Sequence, residues 1–133
     1  MWYNEIDGQT CVPCSVKIIS EGDNLNENIS ADGSCCERDG GVLVSYASDG
    51  DKSCFFFGQG RAKYVRAGSQ NIRMKFGQGK TTRCEIGYGN MKGFFEVFTD
   101  KLEILSGKGG HRVRLTYKSG GEVTQLSFTV LYK

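Results

Sequence analysis

The sequence contains very little proline and histidine, and both shortages bear on its architecture and chemistry. One proline and one histidine, His111, occur among 133 residues. No low-complexity stretch divides the chain, so its length fits a single domain with one continuous core. With one histidine, no glycine-rich nucleotide signature and no complete set of metal ligands, nothing in the sequence points to a particular reaction. We therefore predict no cofactor and no enzymatic activity.

Long apolar runs and a large excess of one charge are also missing. No segment approaches the roughly 20 apolar residues of a membrane-spanning helix. Residues 1–10 are acidic and polar where a secretory signal would need a basic start and an apolar run. The formal net charge is only +2, so the chain as a whole has no electrostatic footprint for nucleic acid or an anionic membrane. We expect a cytoplasmic protein without either partner, in which any basic function is local.

The sequence does have a regular alternation of short apolar segments and glycine-containing turns, repeating about every ten residues from Ser15 onward. The pattern is clear at Ile72, Met74 and Phe76, which alternate with basic residues, and it recurs in residues 112–118 and 125–132. The short connections favour antiparallel pairing of consecutive strands. These features predict an all-β fold: a single antiparallel up-and-down barrel of about eight to ten strands over residues 15–133. Residues 1–14 are predicted to form an N-terminal extension.

A doubled turn suggests a basic rim on the barrel. Phe57-Gly58-Gln59-Gly60-Arg61 is echoed by Phe76-Gly77-Gln78-Gly79-Lys80, and two turns that are two strands apart lie at the same end of a meander. Another turn is predicted at Asp100, between strands at Gly93 to Thr99 and Lys101 to Ser106. Glycine-turn amides can bind anions, and Arg61 and Lys80 would add charge. The alternative is a solvated rim whose cations are balanced by nearby acidic residues.

Six cysteines raise the question of disulfide bonds. They are Cys11, Cys14, Cys35, Cys36, Cys54 and Cys84. An even number would suggest three bridges in a small exported domain, but the missing export signal leads us to expect six reduced thiols. Cys54 and Cys84 lie in strand-like segments, where cysteine packs as a small apolar residue.

Cys11-Val-Pro-Cys14 has the CxxC spacing of redox and zinc sites. It precedes a predicted strand rather than a helix, unlike a thioredoxin-type site. Cys35 and Cys36 are adjacent, so their side chains should point to opposite faces of a strand, which is unfavourable for a shared metal. The sequence leaves open whether Cys11 and Cys14 have a redox or metal role.

Short motifs follow one another along the chain in a distinctive order. They are Ser45-Tyr46, Arg66-Ala67-Gly68, Met74-Lys75-Phe76 with Gly79, Tyr88-Gly89, Thr99, Gly109-Gly110 and Tyr117. In this order, from about Val16 to Lys133, the chain resembles the YwiB-like family of small bacterial calycin-type β-barrel proteins of unknown function. The resemblance implies a calycin-like or lipocalin-like barrel and no established catalytic residues. The chain departs from the family pattern at Ala47-Ser48, Cys84 and Ile86.

The predicted inner face contains enough aromatic residues either to fill a small barrel or to line a cavity. The candidate ligand-binding residues are Tyr46, Arg66, Met74, Phe76, Tyr88, Phe98 and Tyr117, with Arg61 and Lys80 on the basic rim. If Arg66 points inward, it needs a partner, because burial of an unpaired charge is costly. That partner would be a protein carboxylate or an anionic ligand. The alternative, which the sequence favours slightly, is a simple outward-facing arginine.

His111 follows two glycines at the start of a strand, so we interpret it as a solvated or edge residue rather than a catalytic one. The sequence therefore predicts a non-enzymatic barrel that binds a small amphipathic or anionic molecule. The alternative is a packed structural or protein-interaction barrel with no internal ligand.

Overall fold

Ten antiparallel strands close into one barrel in the computed structural model, which describes residues 10–23 and 26–133. The strands are β1 (Thr10–Gly22), β2 (Asn26–Arg38), β3 (Gly41–Ser48), β4 (Asp51–Gly58), β5 (Arg61–Ala67), β6 (Asn71–Gly77), β7 (Thr81–Tyr88), β8 (Met91–Gly107), β9 (Gly110–Ser119) and β10 (Glu122–Tyr132). Consecutive strands pair, and β1 pairs with β10 to close the barrel. The predicted all-β, calycin-like barrel is confirmed. None of the residues described forms a helix long and apolar enough to cross a membrane.

The tight hairpins form where the sequence supplies residues that accept positive φ. Asp39-Gly40, Asp49-Gly50 and Gln59-Gly60 all have φ between 51° and 81° at both positions, as a type I′ turn requires. The backbone twist of this turn matches that of the flanking strands. Asp49-Gly50 is therefore the hairpin turn between β3 and β4.

The first strand begins earlier than predicted. Residues 10–14 were assigned to the N-terminal extension, yet β1 starts at Thr10, and Cys14 pairs with both Gly33 of β2 and Tyr132 of β10. Cys14 is fully buried, so this segment belongs to the barrel. The rest of the proposed extension, residues 1–9, lies outside the described residues.

The turn predicted at Asp100 does not exist. Strand β8 continues through Asp100 to Gly107, and the register with β9 shifts between Thr99 and Lys101. This irregularity is a β-bulge, which bends a strand without ending it. Because one predicted turn is missing, the β9–β10 connection lies at the end of the barrel opposite to the two Phe-Gly-Gln-Gly turns.

Polar groups of the β6–β7 connection stabilise the bulge. The Gln78 side chain donates to the Asp100 carbonyl oxygen at 2.8 Å and accepts from the Leu102 amide at 2.7 Å. The buried Thr99 hydroxyl accepts from the Gly77 amide at 3.2 Å. The second Phe-Gly-Gln-Gly turn thus has a structural role, since its glutamine satisfies backbone groups that the bulge leaves without strand partners.

An aromatic cluster fills the middle of the barrel. The ring centroids of Phe55 and Phe128 lie 4.4 Å apart, and the Tyr46 ring lies 6.0 Å from that of Phe128. On the other side, Phe57 packs against His111 with centroids 5.5 Å apart. The cluster separates the two ends of the interior, so each end has its own set of inward-facing residues.

The structure corrects the prediction of six reduced thiols. Cys11 lies opposite Cys36 in the β1–β2 register, with Cα atoms 4.1 Å apart, and the two form a disulfide. This register was not predicted from the sequence, because it depends on where β1 ends and β2 begins around the connection between Gly22 and Asn26. Disulfides are typical of oxidising compartments, so the cytoplasmic location stays a prediction.

The other four cysteines are free thiols. Cys14 and Cys35 point into the core, and burial raises the pKa of both, that of Cys35 to about 11. Both thiols are therefore protonated at neutral pH and poorly nucleophilic. Among the described residues, no three His, Cys, Asp or Glu side chains form a group that could hold a metal ion.

Burial in the core predicts the effect of truncating Phe128. Phe128→Ala should lower the free energy of unfolding by about 3 to 5 kcal/mol, because it leaves a cavity inside the aromatic cluster. The Phe76→Ala variant should fall in the same range. Lys75→Ala, on the exposed face of the same strand as Phe76, should change it by less than about 0.5 kcal/mol. Urea denaturation checks the order, and a larger loss for Lys75→Ala would contradict the face assignment.

The disulfide predicts the thiol count. Titration of the denatured protein without reductant should find four free thiols, and six after reduction. Replacing both Cys11 and Cys36 with serine should lower the free energy of unfolding by about 3 kcal/mol, because the unfolded chain regains the entropy of a 25-residue loop. Cys54→Ser, which alters a free and half-buried thiol, is the control. Six titratable thiols before reduction would contradict the bond.

Candidate functional site

A cavity of about 320 Å³ lies inside the barrel, between the aromatic cluster and the end that carries the β1–β2 and β5–β6 connections. Its floor and one part of its wall are apolar: Phe55, Phe76 and Phe128 with Ile29, Ile72 and Met74. Ser20, Glu27 and Gln70 lie near the strand ends and mark its mouth. Such a volume is within the range of small-molecule sites, which are mostly apolar with a few polar groups.

Five of the seven predicted ligand-binding residues line this cavity. They are Tyr46, Arg66, Met74, Phe76 and Tyr117. The structure brings them together from strands β3, β5, β6 and β9. Sequence reasoning missed Phe55 and Tyr64 as lining residues. For Tyr64 the signal was its position two residues before Arg66, which places both on one face of β5.

Tyr88 and Phe98 do not line the cavity, contrary to prediction. Tyr88 is 57% exposed because it ends β7 at a turn, where its hydroxyl accepts from the Gln70 side chain. Phe98 is 36% exposed on the outer face of β8, whose inner face carries Val97 and Thr99. The adjacent aromatic residues at positions 94 and 95 made the inner face of this strand ambiguous in the sequence.

Arg66 is held by a protein carboxylate. Its Nε donates to Asp51 Oδ2 at 2.9 Å, and the Asp51 side chain is only 6% exposed while that of Arg66 is 26% exposed. Asp51 also accepts from the Ser69 amide at 3.1 Å and from the Ser69 hydroxyl at 3.2 Å. Of the two partners that the sequence left open for an inward Arg66, the structure supplies the carboxylate. Asp51 itself was missed, because it stands 15 residues away.

These contacts fix the charge state of the pair. The Ser69 amide, followed by the Arg66 guanidinium, holds the pKa of Asp51 below its ordinary value. The hydrogen bond to Asp51 raises the pKa of Arg66. Hydrogen bonds to the ionised form of a carboxyl group favour that form. Arg66 and Asp51 are therefore both charged at neutral pH.

Gly68 allows the chain to pass close to this pair. Its φ is +153°, and a Cβ atom at this position would lie 2.0 Å from Asp51 Oδ1. Any side chain would therefore collide with the carboxylate as well as strain the backbone. The Arg66-Ala67-Gly68 motif thus supplies both the Arg66 cation and the glycine that lets the chain pass close to Asp51.

Three tyrosines, Tyr46, Tyr64 and Tyr117, add phenol groups to the lining of the cavity. Burial raises the pKa of Tyr46, and the neighbouring Tyr64 adds to the shift. Burial likewise raises the pKa of Tyr117. The Tyr64 hydroxyl lies 3.4 Å from the Ser53 hydroxyl. Tyr46 and Tyr117 therefore remain protonated at neutral pH and can donate hydrogen bonds.

The predicted basic rim lies at the other end of the barrel. Arg61 pairs with Gly77, and the Lys80 amide donates to the Gly77 carbonyl oxygen at 2.9 Å. The two turns do share one end, as predicted, and both cations are exposed. The cavity opens at the end with the β1–β2 and β5–β6 connections, so Arg61 and Lys80 do not border it.

His111 is a hydrogen-bonded, half-buried residue of the closed barrel, rather than the solvated or edge residue predicted. Its Nδ1 lies 2.8 Å from the Ser106 hydroxyl, and its Nε2 lies 2.5 Å from the Tyr132 hydroxyl. Burial lowers the pKa of His111. This cluster lies beyond Phe57, on the side of the aromatic cluster away from the cavity.

The Asp51 contacts predict a pH dependence. Because the pKa of Asp51 is lowered by folding, its stabilising contribution is full above the unfolded value of about 3.9 and is lost as pH falls through the lower folded value. The melting temperature of Asp51→Asn should therefore lie below that of the wild type at pH 7, and the gap should narrow in acid. Gly68→Ala should also melt lower at pH 7.

Asp49→Asn removes the same charge from an exposed position in the preceding turn and is the matched control. Thermal melts over a pH series make the comparison. An Asp49→Asn variant that loses as much stability as Asp51→Asn, or a gap that widens in acid, would contradict the role of the buried carboxylate.

Comparison with known proteins agrees with the fold. No curated protein matches the chain. The crystal structure of the ywiB protein from Bacillus subtilis superposes with a TM-score of 0.77 at 17% sequence identity, covering 94% of this chain and 93% of that chain. The family described as a domain of unknown function, DUF1934, matches residues 14–125. The YwiB-like resemblance found in the sequence is thus confirmed, and the chain belongs to the DUF1934 family.

Proposed function

We propose that the barrel is a non-enzymatic binding module that holds one small amphipathic molecule in its cavity. The observation that carries this proposal is a cavity of about 320 Å³ with an aromatic floor and a single guanidinium in its wall. The apolar part of the ligand packs against the floor, and its polar head, a carboxylate or another hydrogen-bond acceptor, binds Arg66.

The apolar part of the cavity sets the character of the ligand body. Phe55, Phe76 and Phe128 are each at most 4% exposed, so their rings are fixed by the core and present a preformed apolar surface. Each buried CH₂ of a ligand contributes about 0.8 kcal/mol. A body with several carbon atoms can therefore bind without any rearrangement of the floor.

Arg66 sets the character of the head. A guanidinium has five N–H donors, and Asp51 takes only that on Nε. Tyr64 interacts with the guanidinium as well, and the N–H groups left over can bind a ligand oxygen. The protonated Tyr46 and Tyr117 hydroxyls lie in the same cavity and add polar groups to it. Since Asp51 balances one positive charge and Glu27 lies at the mouth, the site suits a head with no more than one negative charge.

Binding of decanoate tests this function. Decanol, which has a hydrocarbon chain of the same length but an uncharged head, is the comparison ligand. Isothermal titration should show that decanoate binds the wild type and that Arg66→Met weakens it by about tenfold to a hundredfold, the range expected for loss of a hydrogen bond to a charged group. Decanol binding should weaken much less than decanoate binding, because its hydroxyl can accept a hydrogen bond from Arg66 but carries no charge. Native mass spectrometry of gently purified protein should also show a retained small molecule.

Arg61→Met is the matched control, because it removes an arginine of the same barrel far from the cavity. Its decanoate affinity should equal that of the wild type. If neither decanoate nor decanol binds and no retained molecule is found, the barrel is better described as a packed structural or protein-interaction module. If Arg61→Met weakens binding as much as Arg66→Met, the head does not sit at Arg66.

A further inference from the structure

The outer surface of strands β5, β6 and β7 has a strong local charge. We name this surface the basic face. It carries five exposed cations, which are Arg61, Lys63, Arg73, Lys75 and Arg83. They come from the outward positions of neighbouring strands, so they form one continuous surface. The small net charge of the whole chain conceals this concentration.

The arrangement of these cations is unfavourable for the isolated barrel. Lys63 lies directly opposite Lys75 in the β5–β6 register, and like charges in this position destabilise a sheet. Within residues 10–23 and 26–133, none of the five cations forms an ion pair with a carboxylate. Glu85 faces Arg73 across the β6–β7 register, but its ion pair is with Lys92, at 3.2 Å. The face therefore has unbalanced positive charge available for a partner.

Exposed aromatic rings border the same face. Phe94 is 54% exposed and Phe98 is 36% exposed on the outer side of β8. The Arg83 guanidinium carbon lies 4.0 Å from the centroid of the Phe94 ring. Glu96, between the two phenylalanines, faces Arg83 in the β7–β8 register. The edge of the basic face thus combines flat apolar rings with cations, in contrast to an ordinary solvated surface.

We propose that the basic face, together with Phe94 and Phe98, binds single-stranded nucleic acid. Lys63 and Lys75 lie side by side on strands about 4.8 Å apart, and Arg73 lies two residues from Lys75 along β6. The three cations therefore form one compact cluster that can bind consecutive phosphates of a strand. Proteins that bind single strands combine such a charged track with aromatic side chains on which bases stack. An acidic peptide would satisfy the cations but would leave the rings without planar partners.

This site is independent of the cavity because of the alternation within β5. Tyr64 and Arg66 point into the barrel, whereas Arg61 and Lys63 point out. Variants of the basic face therefore leave the cavity lining intact. Loss of nucleic-acid binding and loss of decanoate binding can be observed separately, and neither result determines the other.

Fluorescence anisotropy with a labelled oligothymidylate of about 20 nucleotides, a length that exceeds the footprint of one small domain, tests the proposal. The wild type should bind at low salt, and the affinity should fall as salt rises. The double variant Lys63→Gln, Lys75→Gln should bind about tenfold more weakly, and its slope of log K against log salt should be smaller by about 1.4. Phe94→Ala should weaken binding at least about fivefold through lost stacking, with little change in the salt slope.

The double variant Lys17→Gln, Arg112→Gln removes two other exposed charges, from β1 and β9, and is the matched control. It should bind like the wild type. No binding at about 50 mM salt, or equal loss in the control, would overturn the proposal. Polyglutamate that competes as well as the oligonucleotide, or a Phe94→Ala variant with wild-type affinity, would show an unspecific anion surface and overturn it as well.

Discussion

The pairing of β1 with β10 is the constraint on which the rest of the structure depends. The ladder extends from Cys14 opposite Tyr132 to Gly22 opposite Thr124, and it gives the first and last strands a second neighbour each. With no free edge, the sheet has one inside and one outside. Strand alternation then decides for every residue whether it faces the core or the solvent. The cavity and the basic face both follow from this closure.

The Arg66–Asp51 pair explains how a cavity persists in so small a barrel. Apolar side chains alone would be expected to pack the space, as they do around Phe57 and Phe128. Asp51 is instead held by Ser69 at the end of the barrel, and Arg66 is held by Asp51. An ion pair with fixed hydrogen bonds cannot move into an apolar space without losing those bonds and its solvation. The polar side of the cavity therefore stays in place.

Features that depend on residues close together in the sequence could be predicted. Features that depend on the register of one strand against another could not. Alternation correctly placed Phe76 inside and Lys75 outside, and the motif around Arg66 located a cavity residue. The inner face of β8 was misassigned at Phe98 because Phe94 and Phe95 are adjacent and either could face the core. The bulge at Asp100, which has no glycine, was predicted as a turn for a separate reason, because a bulge has no sequence signature of its own. The Asp51 carboxylate and the Cys11–Cys36 bond could not be found, since each partner lies on another strand whose alignment the chain does not state.

The same limit applies to charge. A formal net charge of +2 argues against a nucleic-acid or membrane partner only if the charges are spread evenly over the surface. In the barrel, the alternation along each strand places the charges on different faces. In β5 alone, Arg61 and Lys63 face outward while Arg66 is neutralised within by Asp51. Outward Lys63 then adds to the charge of Lys75 on β6. Charge must therefore be counted by face once the register is known, because a partner meets one face and not the average of the chain.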